Sequence, residues 1–160
     1  MSTDILVVKL AHFDEDLPLP FYATEQAAGA DVCASLKPEL RKVGLMLQPW
    51  QRVLVPTGLA VEIPEGYELQ VRARSGLSYK SGLMLANGLG TIDSDYRGEL
   101  QVLMVNLSAQ KQVIDHGLRV AQLVLVPVLQ AQYRLSSQLS ESLRDQAGFG
   151  STGMNAKEHG

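Results

Sequence analysis

The sequence predicts an all-β domain, a sandwich or barrel, that ends in a glycine-rich C-terminal arm. Three observations carry this. No long segment places apolar residues at i, i+3, i+4 and i+7, as an amphipathic helix would. Apolar runs of strand length recur along the chain, separated by Gly, Pro and Asp turns. Tyr67, Leu69, Val71 and Ala73 alternate with Glu68, Gln70, Arg72 and Arg74, the period of a half-buried strand with one polar face.

Taken in order, Ile5 to Leu10 is a first short strand. Gln51 to Ile63 is β-rich, with Pro56-Thr57-Gly58 interrupting it, and Pro64-Glu65-Gly66 reads as a turn. The alternating strand follows, then Ser75 to Ser81, which suits a short helical turn. The middle of Asn87 to Gly98 reads as a hairpin, with glycines before it and an Asp/Tyr/Arg/Gly turn after. Leu100 to Leu107 and Val120 to Val128 are further strands, with the turn Asp115-His116-Gly117 between them. From Ser136 onward serine, glutamine and glycine dominate, a composition that buries little. The expected division is a β domain over 1–135 and an arm over 136–160.

A chain of 160 residues suits one well-packed domain. It has no run of the ~18 apolar residues that a helical membrane span needs. Its first residues lack the basic and apolar regions of a secretory signal. Cys33 is the only cysteine, so no internal disulfide or cysteine-based zinc cluster is expected, and a reducing cytoplasm fits. A net charge of −3 argues against a broad nucleic-acid face, whereas a few local arginines suffice for a phosphorylated small molecule. His12, His116 and His159 are scattered and have no ligand spacing. Gly88-Leu89-Gly90 lacks the strand–glycine–helix setting of a dinucleotide fingerprint, and no phosphate loop is present. Trp50 and the methionines read as packing.

Some segments carry groups that could do chemistry. Arg74, Ser75 and Gly76 end a strand with a guanidinium, a hydroxyl and a glycine amide, which together can bind phosphate oxygens; Arg74 alone reads as a solvated strand-end residue. Asp93 and Asp95 are two apart and share a face if the backbone is extended. A carboxylate there could orient a water, hold a metal or simply make the turn. Asp31, after Ala28-Gly29-Ala30, reads first as a turn aspartate. Gln122 stands inside an otherwise apolar strand and needs hydrogen-bond partners.

Together, in order, these segments resemble the five motifs of the homotrimeric dUTP pyrophosphatase (dUTPase) family. The motifs are Ala28 to Val32, Arg74 to Leu77, Asn87 to Gly98, Gly117 to Leu123, and Arg144 to Gly153. The resemblance implies a jelly-roll-like β fold and a homotrimer whose sites draw on all three copies. It implies hydrolysis of dUTP to dUMP and pyrophosphate, which limits uracil incorporation into DNA and supplies dUMP for thymidylate synthesis. By the same resemblance, Asp93 would orient and activate the water that attacks the α-phosphorus. Tyr96 would lie against the deoxyribose and leave no room for a 2′-hydroxyl. Asn87 and the backbone of Gly90, Thr91 and Ile92 would bond the uracil edge, and the tight hairpin would exclude the thymine methyl. Arg74, Ser75 and Gly76 would hold the phosphate chain, with Gln122 nearby and Gln101 as a further contact. On the arm, Phe149 would stack over the uracil, and Arg144, Gly150, Ser151 and Thr152 would grip the terminal phosphates. Mg²⁺ would be held mainly by the triphosphate, with Asp31 reaching it only through water. No nucleic-acid or membrane partner is implied.

Asp145 and Ala147 stand where the family usually has glycine, and Ala73 where proline is frequent. Two rivals remain. A dCTP deaminase would need a glutamate on the strand after the third motif, where Leu103 stands instead. A non-catalytic nucleotide sensor on the same scaffold is the other; the set Asp93, Tyr96, Arg74 and Phe149 argues against it.

Overall fold

The computed structural model describes residues 3–142 and 145–148. It divides into two units, Met1–Leu129 and Gln130–Gly160. In the second, the described residues form no helix or strand, and Tyr133, Leu135 and Leu139 are exposed.

The first unit is a β structure with antiparallel pairing throughout. Its strands are β1 (Leu6–Lys9), β2 (Ala30–Cys33), β3 (Leu45–Leu47), β4 (Arg52–Glu62), β5 (Tyr67–Ala73), β6 (Leu83–Leu85), β7 (Leu89–Ile92), β8 (Glu99–Asn106), β9 (Gln112–Ile114) and β10 (Arg119–Pro127). One helix, α1 (Ser75–Ser81), is present among the described residues, together with a 3₁₀ turn at Pro38–Leu40. One sheet runs β1-β4-β8-β6, the other β2-β10-β5-β7, and β3 pairs with β9 in a small ribbon. Apolar residues of both sheets, among them Val55, Leu100 and Val102 from one and Val32, Val71 and Leu123 from the other, join in one core. The architecture is the jelly-roll-like one that the family resemblance implies. In β5 the expected alternation appears as burial of Leu69 and Val71 beside exposed Arg72.

Pro56-Thr57-Gly58 does not end a strand. β4 passes through it as a bulge: Pro56 pairs with Gln101 and Ala60 with Glu99, so three residues of β4 face one of β8. The polar groups of the bulge find other partners. The Thr57 hydroxyl donates to the Leu100 carbonyl at 2.6 Å, and the Gly58 N–H donates to Glu99 Oε1 at 2.9 Å. The Leu10 and Ser35 N–H groups donate to the carbonyls of Gly58 and Pro56. Gly58 has φ +68°, and a Cβ there would lie 2.8 Å from the Phe13 Cα. Only glycine meets both conditions.

Two readings of 87–98 are corrected. β7 pairs with β5 in one sheet and β8 with β4 and β6 in the other, so the segment is a crossing turn between sheets and not a hairpin. β7 ends at Ile92, and Asp93 opens a turn in which the Tyr96 N–H donates to the Asp93 carbonyl at 3.1 Å. Asp93 and Asp95 therefore do not share a strand face.

Gly58→Ala is expected to lower stability by about 1–3 kcal/mol from the left-handed backbone alone, with the clash at Phe13 added. Urea unfolding reads the loss directly; wild-type stability would contradict this account of the bulge.

Candidate active site

Two residue groups emerge. The first is built on Asp31. Strand β2 lies at the end of its sheet, yet all four of its residues are buried, and the Phe21 segment pairs with Asp31 on the open edge. Asp31 is 1% exposed, and the register sets Gln122 of β10 directly across from it. Its carboxylate accepts from Arg119 Nη1 at 2.9 Å and from Gln122 Nε2 at 3.1 Å. Arg74, just past the end of β5, brings Nε to 3.3 Å from Asp31 Oδ1 and Nη2 to 3.5 Å from Oδ2, and donates through Nη1 to the Arg119 carbonyl. Arg74 is thus no loose strand-end residue, and Asp31 is a buried strand residue with charged partners where the sequence alone suggests a turn. Two guanidiniums meet one carboxylate, so the group keeps one positive charge in excess. The Arg119 side chain is 45% exposed and can offer that charge to an anion. Ser75 and Gly76 follow Arg74 as exposed residues opening α1. Cys33, paired across from Arg119, is buried, and this burial pushes its thiol pKa up, so it stays a neutral packing group.

The second group lines a cleft of about 250 Å³. Thr91, Ile92, Asp93 and Tyr96 come from β7 and the crossing turn, and Leu54, Glu99 and Gln101 from β4 and β8. Asp93 is exposed, and among the described residues no group bonds its carboxylate. The Tyr96 hydroxyl donates to the Glu99 carbonyl at 3.0 Å. This folds the ring over Gly98, where a Cβ would come within 2.3 Å of the hydroxyl oxygen. Any larger residue at 98 would push the ring out of place. Asn87 and Gly90 lie just upstream: Gly90 is buried and Asn87 exposed, its amide beside Gly90.

Among the described residues no hydrogen bond or ion pair joins the two groups. Nor do any three His, Cys, Asp or Glu side chains converge as a metal cage would require. Direct ligation by Asp31 would displace an arginine or Gln122, so its donor set fits at most a water-mediated contact with a cation. Arg144, Phe149, Gly150, Ser151 and Thr152 lie outside the described residues. Asp145 adopts φ +42°, a left-handed value that aspartate tolerates better than most residues.

Sequence reasoning missed Arg119, Glu99, Leu54 and His12. Arg119 and Glu99 stand within or beside the quoted motifs. His12 has no ligand spacing in the sequence, yet its Nε2 lies 2.9 Å from Glu99 Oε1.

The dUTPase family model matches residues 15–153. The chain is 52% identical over 153 residues to the deoxyuridine 5'-triphosphate nucleotidohydrolase of Dinoroseobacter shibae, covering 96% of this chain and 99% of the relative. It is 48% identical to the same-named protein of Aquifex aeolicus, with the same coverage. Among solved structures it is similar to the dUTPase of Staphylococcus bacteriophage 80alpha with dUpNHpp, at TM-score 0.81 and 25% identity, over 96% of this chain and 100% of the other. The dUTPase of S. aureus phage phi11 follows the same fold at TM-score 0.70 and 22% identity, over 88% of this chain and 100% of the other.

Asp31→Ala leaves two guanidiniums without their carboxylate. A loss of about 2 kcal/mol in urea unfolding is expected, below the value for a fully buried pair because both arginines reach solvent. A loss under about 0.5 kcal/mol, the size of a surface change, would show that Asp31 does not hold the cluster.

Proposed function

The chain belongs to the dUTPase family and hydrolyses dUTP to dUMP, and we propose that a water held by Asp93 attacks the α-phosphorus and releases pyrophosphate. The new bond joins the water oxygen to phosphorus. The bond to the bridging oxygen breaks, and that oxygen leaves with pyrophosphate. The observation that carries this reading is the exposed Asp93 carboxylate in the same cleft as the Tyr96 ring. A carboxylate is a weak base, so holding the water in line contributes as much as taking its proton.

The Tyr96 ring is the wall against the deoxyribose, and a 2′-hydroxyl would collide with it. Asn87 and the backbone of Gly90, Thr91 and Ile92 bond the uracil edge. Cytosine presents the opposite donors and acceptors there, and such a site can reject it by roughly 10⁴-fold. Arg74, Ser75, Gly76 and Gln122 hold the phosphate chain, joined by Arg119, and Gln101 contributes from the cleft wall. Leu103, half-buried on β8, offers no proton, which sets the deaminase reading aside.

Magnesium use is a property of the family; bound mainly to the triphosphate, the ion would offset phosphate charge. Asp31 reaches it only through water, its main work being to hold Arg74 and Arg119. Two residue groups with no direct bond between them suit a site shared between copies, here a homotrimer. The arm, residues 136–160, would close that site with Arg144, Phe149, Gly150, Ser151 and Thr152. The enzyme acts on free nucleotide in the cytoplasm, with no nucleic-acid or membrane partner. No helix among the described residues is long and apolar enough to cross a membrane. By removing dUTP it limits uracil incorporation into DNA and supplies dUMP for thymidylate synthesis.

Pyrophosphate release from dUTP, dCTP, dTTP and UTP, with and without magnesium, tests the reading. Magnesium-dependent release from dUTP alone is expected, and ammonia from dCTP would overturn it. Asp93→Asn should keep nucleotide binding while turnover falls about 10²–10⁴-fold; a near-wild-type rate removes Asp93 from its role. Deleting the chain from Arg144 onward should leave a folded, nearly inactive core, and full activity would refute closure by the arm.

A further inference from the structure

Glu99 stands at the start of β8, between the crossing turn and the β4 bulge, and all three of its oxygens are engaged. Oε1 accepts from the Gly58 N–H at 2.9 Å and lies 2.9 Å from His12 Nε2. Oε2 accepts from Gln101 Nε2 at 3.3 Å, and the backbone carbonyl accepts from the Tyr96 hydroxyl at 3.0 Å. The bulge takes the Gly58 N–H out of the β4–β8 ladder, and the carboxylate replaces the lost partner. The Glu99 side chain is 18% exposed and that of His12 23%, so these bonds form largely out of water and are stronger for it.

We propose that Glu99 is a positioning residue that sets the sugar-facing wall of the cleft. Its side chain is pinned to β4 and to His12 on the loop after β1. Its carbonyl shares the same Cα, so the pinned side chain fixes the atom on which the Tyr96 hydroxyl rests. Gln101 is held by the same carboxylate. The position of the ring over the cleft, and hence the distinction between deoxyribose and ribose, depends on a carboxylate that need not touch the nucleotide. The inference rests on the reading of Tyr96 as the group facing the sugar.

The test compares wild type, Glu99→Ala and Glu99→Gln. Steady-state kinetics with dUTP and UTP are read beside amide exchange at Gly58 in the free protein. In Glu99→Ala the preference for dUTP over UTP in kcat/KM should fall about tenfold, mostly through KM, the effect of roughly one charge-assisted hydrogen bond. Exchange at Gly58 should quicken by about the same factor. Glu99→Gln should restore most of both, because its amide oxygen still accepts from Gly58. A Glu99→Ala enzyme that separates the two nucleotides as well as a discriminating wild type does would overturn the role of Glu99 alone. A wild type that does not separate them would overturn the sugar-facing reading of Tyr96 itself. Equal falls in activity toward both nucleotides, without rescue by glutamine, would mark a merely structural role and also overturn the inference.

Discussion

Burying a carboxylate in a β-sandwich costs several kcal/mol unless charge and hydrogen-bond donors meet it, and the cluster around Asp31 is the answer to that demand. Three strand segments converge to satisfy one side chain. β2 carries it, β10 sends Arg119 and Gln122, and the end of β5 sends Arg74. Because two guanidiniums answer one negative charge, the solution leaves positive charge directed outward. The group that meets the buried charge thereby also leaves a partly exposed guanidinium at Arg119.

The cleft depends on a different constraint. The chain must cross from the β5 sheet to the β4–β8 sheet between Ile92 and Glu99, and the crossing lifts Asp93 off the strand into solvent. Tyr96 cannot then be placed by sheet pairing. It is placed by a close approach to Gly98 and by the Glu99 carbonyl. The two-residue excess of β4 at Thr57 and Gly58 supports this arrangement from behind, and its N–H groups call for the side-chain acceptors that Thr57 and Glu99 supply.

The sequence made the local features legible. The alternation over Tyr67 to Ala73, the turn at Pro64 to Gly66 and the short helix at Ser75 each depend on neighbours within a few residues. Pairing does not. Leu89 to Ile92 looks like one arm of a hairpin until its partner proves to be β5, and nothing in its own composition says so. The same limit hid His12, which lies 87 residues from the carboxylate it meets. Arg119 opens β10, and only the register of β10 on β2 brings it to Asp31. The motif order recovered most of the residues brought together here, because it encodes long-range proximity that periodicity cannot.

The proposed mechanism requires the two residue groups to come together from different copies of the chain. Subunit mixing tests this most directly: an Arg74→Ala chain and an Asp93→Asn chain, each inactive alone, are unfolded together, refolded and assayed on dUTP. If each site takes Asp93 from one copy and Arg74 from another, random assembly restores roughly a quarter of the sites. A mixture as inactive as its parents would place both groups of each site in a single chain and contradict the account.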